Sequence, residues 1–180
     1  MKKNTLDVFE QLDQQLERTL LQLETYPAGR LSQQPSPGQW SALQVLEHLM
    51  IVEKISLAYL LKKSAGGYQG MPRQGGLSML LLLALRLYLV LPIKVKAPRA
   101  VDVPMLDSMP GLDELAQEYR QTRASFREFL QNAPEEAFEV NIFRHPLVGR
   151  LRIKETLGFF SAHFDRHRAQ MQRVLGSNLN

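Results

Sequence analysis

The chain is 180 residues long and carries a formal charge of +4 when its four histidines are neutral, a size that predicts one domain spanning residues 1–180. Hydrophobic residues make up 44% and charged residues 22% of the sequence, a balance that excludes a disordered chain. The absence of cysteine excludes disulfides, thiolate metal sites and cysteine nucleophiles, so any transition metal must be held by histidine and carboxylate.

A first helix is predicted from about residue 4 to residue 26, because apolar residues recur every three or four positions. They are Leu6, Phe9, Leu12, Leu16, Leu20 and Leu23. The start of the chain contains no apolar run of the kind that a secretory signal needs, so we expect a cytoplasmic protein. Lysine and arginine are mixed with acids in every segment. Nucleic-acid binding needs basic residues clustered on one face, so we expect no nucleic-acid partner.

A second helix is predicted from about Ser41 to Ser64, and a capping box marks its start. Ser41 and Gln44 have the spacing at which each side chain satisfies an otherwise unpaired backbone N–H of the first turn. Trp40, just before the cap, is placed to pack on Val45 as a hydrophobic staple. The pair Gly66-Gly67 ends the helix.

The segment from Leu77 to Leu91 is almost wholly apolar, with Arg86 as its only charge. As a helix it would be ~22 Å long, which is short for a bilayer core of ~30 Å. We therefore expect an extra helix covered by protein, either its own bundle or a second subunit, and no membrane partner. An interfacial membrane helix is the alternative. The prolines between residues 92 and 110 predict a long crossover loop.

Two more amphipathic helices are predicted, from about residue 112 to 132 and from about 153 to 174. Their apolar stripes are Leu112, Leu115, Tyr119, Thr122, Phe126 and Phe129 in one, and Ile153, Leu157, Phe160, Phe164, His167, Met171 and Val174 in the other. Between them, Pro134 and Pro146 indicate a loop. Four long amphipathic helices without an alternating strand pattern predict an all-α fold. The architecture expected is an antiparallel four-helix bundle with a long crossover and the extra apolar helix.

The last helix carries the residues best suited to chemistry. His163 and His167 are four positions apart, so their side chains are neighbours and can converge on one ion. Gln170 lies on the same side of the helical wheel, whereas Asp165 lies about 160° away and is a poor ligand candidate. Spacing alone does not decide between a pair of metal ligands and two hydrogen-bonded core histidines.

His48 adds a third imidazole on the second helix, and it too falls on an apolar face. The residues within about 60° of it on the helical wheel are Val45, Val52, Ile55 and Tyr59, whereas Glu47 and Glu53 lie well away and are expected to be solvated. Three histidines thus face a bundle interior from two helices. Three neutral imidazoles around one ion leave a fourth position open for water or substrate, which is typical of a catalytic metal site.

The fourth histidine, His145, lies in the predicted loop before the last helix and precedes Pro146, which favours extended backbone. Either it orders the loop through a hydrogen bond, or it serves as an accessory group at the mouth of the site. Gln170 is the other candidate accessory.

These motifs together resemble the DinB-like superfamily of small bacterial four-helix bundles. The matching stretches are residues 40–49 (WSALQVLEHL), His145-Pro146-x-x-Gly149 and His163-x-x-x-His167-x-x-Gln170. The apolar segment followed by residues 96–99 (KAPR) resembles one subgroup. The resemblance implies a divalent metal on His48, His163 and His167, and a homodimer. Arg152 departs from the pattern, because relatives often have a Ser or Thr there that could cap the last helix.

The resemblance also implies a range of activities. Relatives include S-transferases that use a bacillithiol- or mycothiol-type thiol, a maleylpyruvate isomerase, and proteins described as metal-dependent hydrolases. We therefore expect an enzyme in which a divalent metal, zinc or nickel ahead of iron or manganese, activates a small thiol or, second, water toward a small electrophilic substrate. No inward acid or base is poised as a general base, which favours thiol transfer over hydrolysis. The alternatives are a metal-binding or stress-response protein without turnover, and a helical dimerisation module with core histidines.

Overall fold

The computed structural model describes residues 1–73, 110–145 and 149–176. Four long helices form the bundle: α1 (Lys2–Leu23), α3 (Ala42–Ser64), α4 (Leu112–Asn132) and α5 (Ile153–Leu175). A short helix, α2 (Ala28–Ser32), packs against α3. The four long amphipathic helices that the sequence predicted are confirmed, with α1 ending three residues earlier than expected. The predicted apolar helix at 77–91 and most of the crossover lie outside the described residues. No helix among the described residues is long and apolar enough to span a membrane.

Each long helix packs against two others, so that α1 lies diagonal to α3 and α4 lies diagonal to α5. The apolar stripe of α1 is buried from Phe9 to Leu23, as its spacing predicted. Ion pairs align α1 with α4: Glu17 pairs with Arg120, Asp13 with Arg123 and Arg127, and Glu10 with Arg127. Residue numbers rise along one helix as they fall along the other, so these two helices are antiparallel.

The helix ends are held by side chains from distant and local residues. Ser41 and Gln44 form the predicted capping box of α3. At the start of α5, the Arg152 side chain cannot accept a hydrogen bond as a Ser or Thr cap would. Glu155 instead accepts from the Arg152 backbone N–H at 3.0 Å and from its guanidinium at 2.7 Å. Thus the departure at Arg152 leaves the entry to the last helix intact.

The segment expected to be a loop contains a β-hairpin, which the sequence analysis missed. Strand β1 (Phe143–His145) pairs antiparallel with β2 (Gly149–Leu151), with His145 opposite Gly149. Three residues per strand are too few to show an alternating pattern, so periodicity could not reveal them. Gly149 has φ of +80°, a conformation that glycine adopts without steric cost. The hairpin places His145 beside α5.

Two acids on α3 were predicted to be solvated, and that prediction was wrong. Glu47 is only 9% exposed, and Glu53 is 3% exposed. Glu53 accepts hydrogen bonds from the Tyr119 hydroxyl at 2.7 Å and from Arg123 at 2.8 Å. The helical wheel assumed one buried face, but α3 contacts α2, α4 and α5. The converse error concerns Ile55, which was expected to face the bundle interior but is 45% exposed.

Candidate metal centre

Three of the four histidines lie together between α3 and α5. His48, on the second turn of α3, is 3% exposed. His163 and His167 lie one turn apart on α5 and are half-buried. The apolar core of the bundle consists of two clusters of buried residues, one containing Phe160 and the other containing Phe164. His163 lies between these two residues in sequence. The imidazoles therefore lie where the two clusters of the bundle core meet.

The distances between the imidazoles fit a shared metal ion. One ring nitrogen from each residue lies within 4.8 Å of the other two. The Nε2 atoms of His163 and His167 are 3.1 Å apart, and the His48 ring centroid is 5.4 Å from that of His163 and 4.9 Å from that of His167. Nitrogens bound tetrahedrally at ~2.0–2.1 Å from one ion are ~3.3–3.4 Å apart. The His163–His167 pair is thus already close to the spacing of two zinc ligands.

Gln170 fixes the orientation of one of these rings. Its Oε1 atom accepts a hydrogen bond from Nδ1–H of His167 at 2.9 Å. A ring protonated at Nδ1 and neutral overall has its lone pair on Nε2, which is the atom facing His163. A partner of this kind on the far nitrogen is the usual device that holds a histidine ligand in place. Gln170, which the helical wheel placed beside His163, thus contacts His167, and its accessory role stays a prediction.

The surroundings keep His163 and His167 neutral, which is the form that binds metal. Burial lowers the pKa of His163 well below its usual value, and the neighbouring His167 and His48 add to the effect. Burial, followed by the charge of His48, lowers the pKa of His167 to about 3. An isolated imidazole titrates near 6.5, so at neutral pH both rings offer free lone pairs.

Aromatic rings enclose the centre on two sides. The Trp40 ring lies 4.9 Å from that of His48, and Phe159 stacks on His163 at 5.3 Å. Trp40 also packs against the apolar cluster that contains Val45. The sequence analysis gave Trp40 a role only as a staple and gave Phe159 none. The spacing of Phe159, one turn before His163, was the available indication that the two rings would touch.

His145 lies near the centre and outside the group of converging ligand atoms. Its ring packs edge-on against that of Phe159, with the ring centroids 4.5 Å apart. His145 is 6% exposed, and burial lowers its pKa to about 4. It is therefore a neutral group at neutral pH, and Phe159 contacts both it and His163. Asp165, which the helical wheel placed outward, is indeed exposed.

Comparison with known proteins identifies the family. The sequence model of the DinB superfamily matches residues 11–171, which is most of the chain. No curated protein and no solved structure matches it. The chain belongs to the DinB superfamily.

Proposed function

We propose that this DinB-superfamily protein is a metal-dependent enzyme that holds one divalent ion on His48, His163 and His167. Its reaction would transfer a small thiol, or less favourably water, to a small electrophile. Zinc or nickel is the expected metal, with iron or manganese as alternatives, since imidazole serves several of these ions. A bacillithiol-type thiol is the expected co-substrate, as the resemblance to thiol-using relatives implies; the protein itself has no cysteine that could supply the thiol. We also expect a cytoplasmic homodimer.

The observation that carries the proposal is the convergence of three buried or half-buried imidazoles from two helices. One ring nitrogen from each of the three residues lies within 4.8 Å of the other two, so a single cation could be bound by all three. Three protein ligands leave room for an exogenous one, which is the arrangement of catalytic rather than structural sites. A bound divalent ion favours deprotonation of a coordinated thiol or water and so supplies a nucleophile near neutral pH.

The chain's own residues would hold and shield that nucleophile. Gln170 keeps Nε2 of His167 directed at the centre. Trp40 and Phe159 exclude water from the outer faces of His48 and His163. In the transfer, a new bond forms between the thiolate sulfur and the electrophilic carbon, and the leaving group departs with the bonding electron pair. His145 stays a candidate accessory residue. Its imidazole is neutral at neutral pH, because burial lowers its pKa to about 4.

Metal binding is tested on protein purified without a metal-affinity column. Elemental analysis should give about one divalent ion per chain. Trp40 is the single tryptophan and touches His48, so binding of Ni²⁺ or Co²⁺ to the stripped protein should quench its fluorescence. His48→Ala should abolish tight binding, whereas His145→Ala should retain it. Equal affinities for wild type and His48→Ala would refute the three-histidine site.

Turnover is tested separately by incubating metal-loaded protein with a small thiol and a chromogenic aryl halide. The expected result is conjugation that is lost in the metal-stripped protein and in His163→Ala. Tight metal binding without any conjugation or hydrolysis would instead support the second candidate, a metal-binding protein without turnover. A protein that binds no metal would support the third, a helical dimerisation module.

A further inference from the structure

We propose that the outer face of the β-hairpin binds a phosphate-bearing anion, held by the guanidinium groups of Arg144 and Arg150. This site is separate from the metal centre, so the inference does not depend on the proposed function. The recognised chemistry is the same whether the phosphate group belongs to a small soluble compound or to a lipid headgroup, and the experiment below distinguishes these two sources.

The two faces of the hairpin have opposite characters. Phe143, His145 and Leu151 are all buried, and they face the bundle, where Phe143 contacts α3 and His145 contacts α5. Side chains alternate between the two faces of a strand, so Arg144 and Arg150 point the other way, and both are exposed. The arginines therefore face away from the bundle interior that holds the metal centre.

The pairing register places the two arginines side by side. Arg144 is the direct cross-strand partner of Arg150, and residues paired in this way have Cβ atoms ~4.5–5.5 Å apart. Like charges at such a position are destabilising. Burial of the inner face fixes the register, because a slip by one residue would turn Phe143 and His145 toward solvent. The fold therefore holds two positive charges close together.

No acid compensates these two charges within the part of the chain that the structure describes. There, neither the Arg144 nor the Arg150 side chain forms an ion pair or a hydrogen bond. Arg152, the next arginine along the chain, is different, because its guanidinium pairs with Glu155 at 2.7 Å. The donors of the hairpin pair are therefore available to an acceptor from outside the chain.

A cavity adjoins the hairpin where the chain enters α5. Arg152 lies two positions after Arg150, and both alternate with the fully buried residues Leu151 and Ile153, so the two arginines lie on the same side of the chain. Arg152 borders a cavity of about 260 Å³. The residues that line it are Met1, Asn4, Arg152 and Lys154. Lys154 is exposed and adds a further positive charge, so the cavity offers a cationic border and space for the rest of a phosphate-bearing molecule.

Two adjacent guanidinium groups match a phosphate group in shape and in charge. The planar donors of arginine form paired, charge-assisted hydrogen bonds with phosphate oxygens. A phosphate monoester carries a charge of about −1.5 to −2 at neutral pH, which offsets both arginines. A single carboxylate would leave one of the two positive charges uncompensated. The pair therefore favours a phosphate group over a singly charged anion.

The test titrates the full chain with inorganic phosphate by isothermal titration calorimetry, with sodium chloride at equal ionic strength as the reference for screening alone. Phosphate should bind and raise the melting temperature, whereas chloride should do neither. Arg144→Gln and Arg150→Gln should each weaken phosphate binding about tenfold, the effect usual for a charged hydrogen bond. The matched control is Arg18→Gln, which removes an exposed arginine of α1 and should bind phosphate as the wild type does.

Charge reversal separates binding from a structural role. Arg144→Glu places an acid directly opposite Arg150, and opposite charges at that position are stabilising. Without phosphate, this variant should melt at the same temperature as the wild type or higher, and added phosphate should no longer raise its melting temperature. A merely structural role for Arg144 would lower the melting temperature in the absence of phosphate, and would overturn the proposal.

The source of the phosphate group is tested with phosphatidylcholine vesicles that contain phosphatidic acid. Co-sedimentation of the wild type with these vesicles, lost in Arg144→Gln and retained in Arg18→Gln, would identify a lipid headgroup. Binding of soluble phosphate without co-sedimentation would identify a small soluble compound. Either result supports the site.

Three results would refute the site. They are no binding of phosphate in either form, equal affinities in Arg144→Gln and Arg18→Gln, and a phosphate affinity that disappears when the metal-loaded protein is treated with a chelator, which would place the phosphate on the metal. None of these results changes the expectation that the three histidines bind a metal ion, so failure of this inference is distinguishable from failure of the proposed function.

Discussion

The depressed histidine pKa values make a specific prediction about acid. Metal stabilises the folded protein by binding it and not the unfolded chain, by ~2.7 kcal/mol when free metal is 100 times the dissociation constant. For a protein of this size each kcal/mol raises the melting temperature by ~2–4 °C, so the metal-loaded form should melt roughly 5–10 °C above the stripped form at pH 8. The question is whether protons compete with the metal as pH falls.

With an ordinary pKa of ~6.5, only ~3% of an imidazole is neutral at pH 5, and the apparent affinity falls ~30-fold for each such ligand. A single histidine ligand with this ordinary pKa would then reduce the stabilisation by metal from ~2.7 to roughly 1 kcal/mol. His167, however, has a pKa lowered to about 3 by burial and by His48, so it remains neutral at pH 5. Burial lowers the pKa of His163 as well, so these two ligands should not take up protons in competition with the metal between pH 8 and pH 5, and a stabilising increment due to metal should persist at pH 5.

The absolute stability of both forms should nevertheless fall over the same range. Unfolded histidines take up protons near pH 6.5, while the folded ones, with lowered pKa values, do not. The stability contributed by the neutral folded histidines is therefore fully present above pH ~6.5 and is lost progressively as pH falls toward the folded values. The melting temperatures of the metal-loaded and metal-stripped proteins should therefore both fall as the pH is lowered, and the two should remain separated.

The assay is differential scanning calorimetry with metal-loaded and chelator-treated protein at pH 8, 6.5 and 5, at a fixed ratio of free metal to protein. His48→Ala is the control, and its two curves should coincide at every pH. A difference in melting temperature that is large at pH 8 and gone at pH 5 would show that the folded imidazoles titrate normally, and would refute the argument from burial.

Three further predictions concern other parts of the chain. Gln170→Leu should weaken metal binding by about 10–100-fold, because His167 loses the acceptor that fixes its tautomer; tryptophan-quenching titrations measure the change, and an unchanged affinity would contradict it. Arg123→Met should destabilise the fold by about 3–5 kcal/mol in urea unfolding, because it leaves the buried Glu53 carboxylate without its cationic partner. The control is Arg120→Met, which breaks an exposed ion pair and should cost at most ~1 kcal/mol. Similar losses of stability in the two variants would refute the role of burial. Replacing both Leu82 and Leu85 with Glu should give a monomer or an unstable chain if the apolar segment is covered by protein. Light scattering that shows a stable species of unchanged size would count against that burial. Co-sedimentation of the protein with liposomes would favour the membrane alternative.

The sequence by itself determined where the four long helices lie and which histidines are candidate metal ligands. The three- and four-residue recurrence of apolar positions depends only on the helical repeat, so the ranges of α1, α3, α4 and α5 could be predicted closely. The capping box at Ser41 is equally local, because both of its bonds lie within one turn. His163 and His167 are neighbours for the same reason, and the outward direction of Asp165 followed from the wheel.

Only the tertiary structure decided which groups meet across helices. That His48 reaches His163 and His167 depends on how α3 and α5 pack, and no periodicity within one helix fixes that. The burial of Glu53 depends on Tyr119 and Arg123 of α4, which lie far away in sequence, so a wheel drawn for α3 alone assigned it to solvent. The hairpin that positions His145 exists through pairing between strands too short to show a pattern. Local physics specifies a helix and its faces, whereas the partner of each face is set by the packing of the whole bundle.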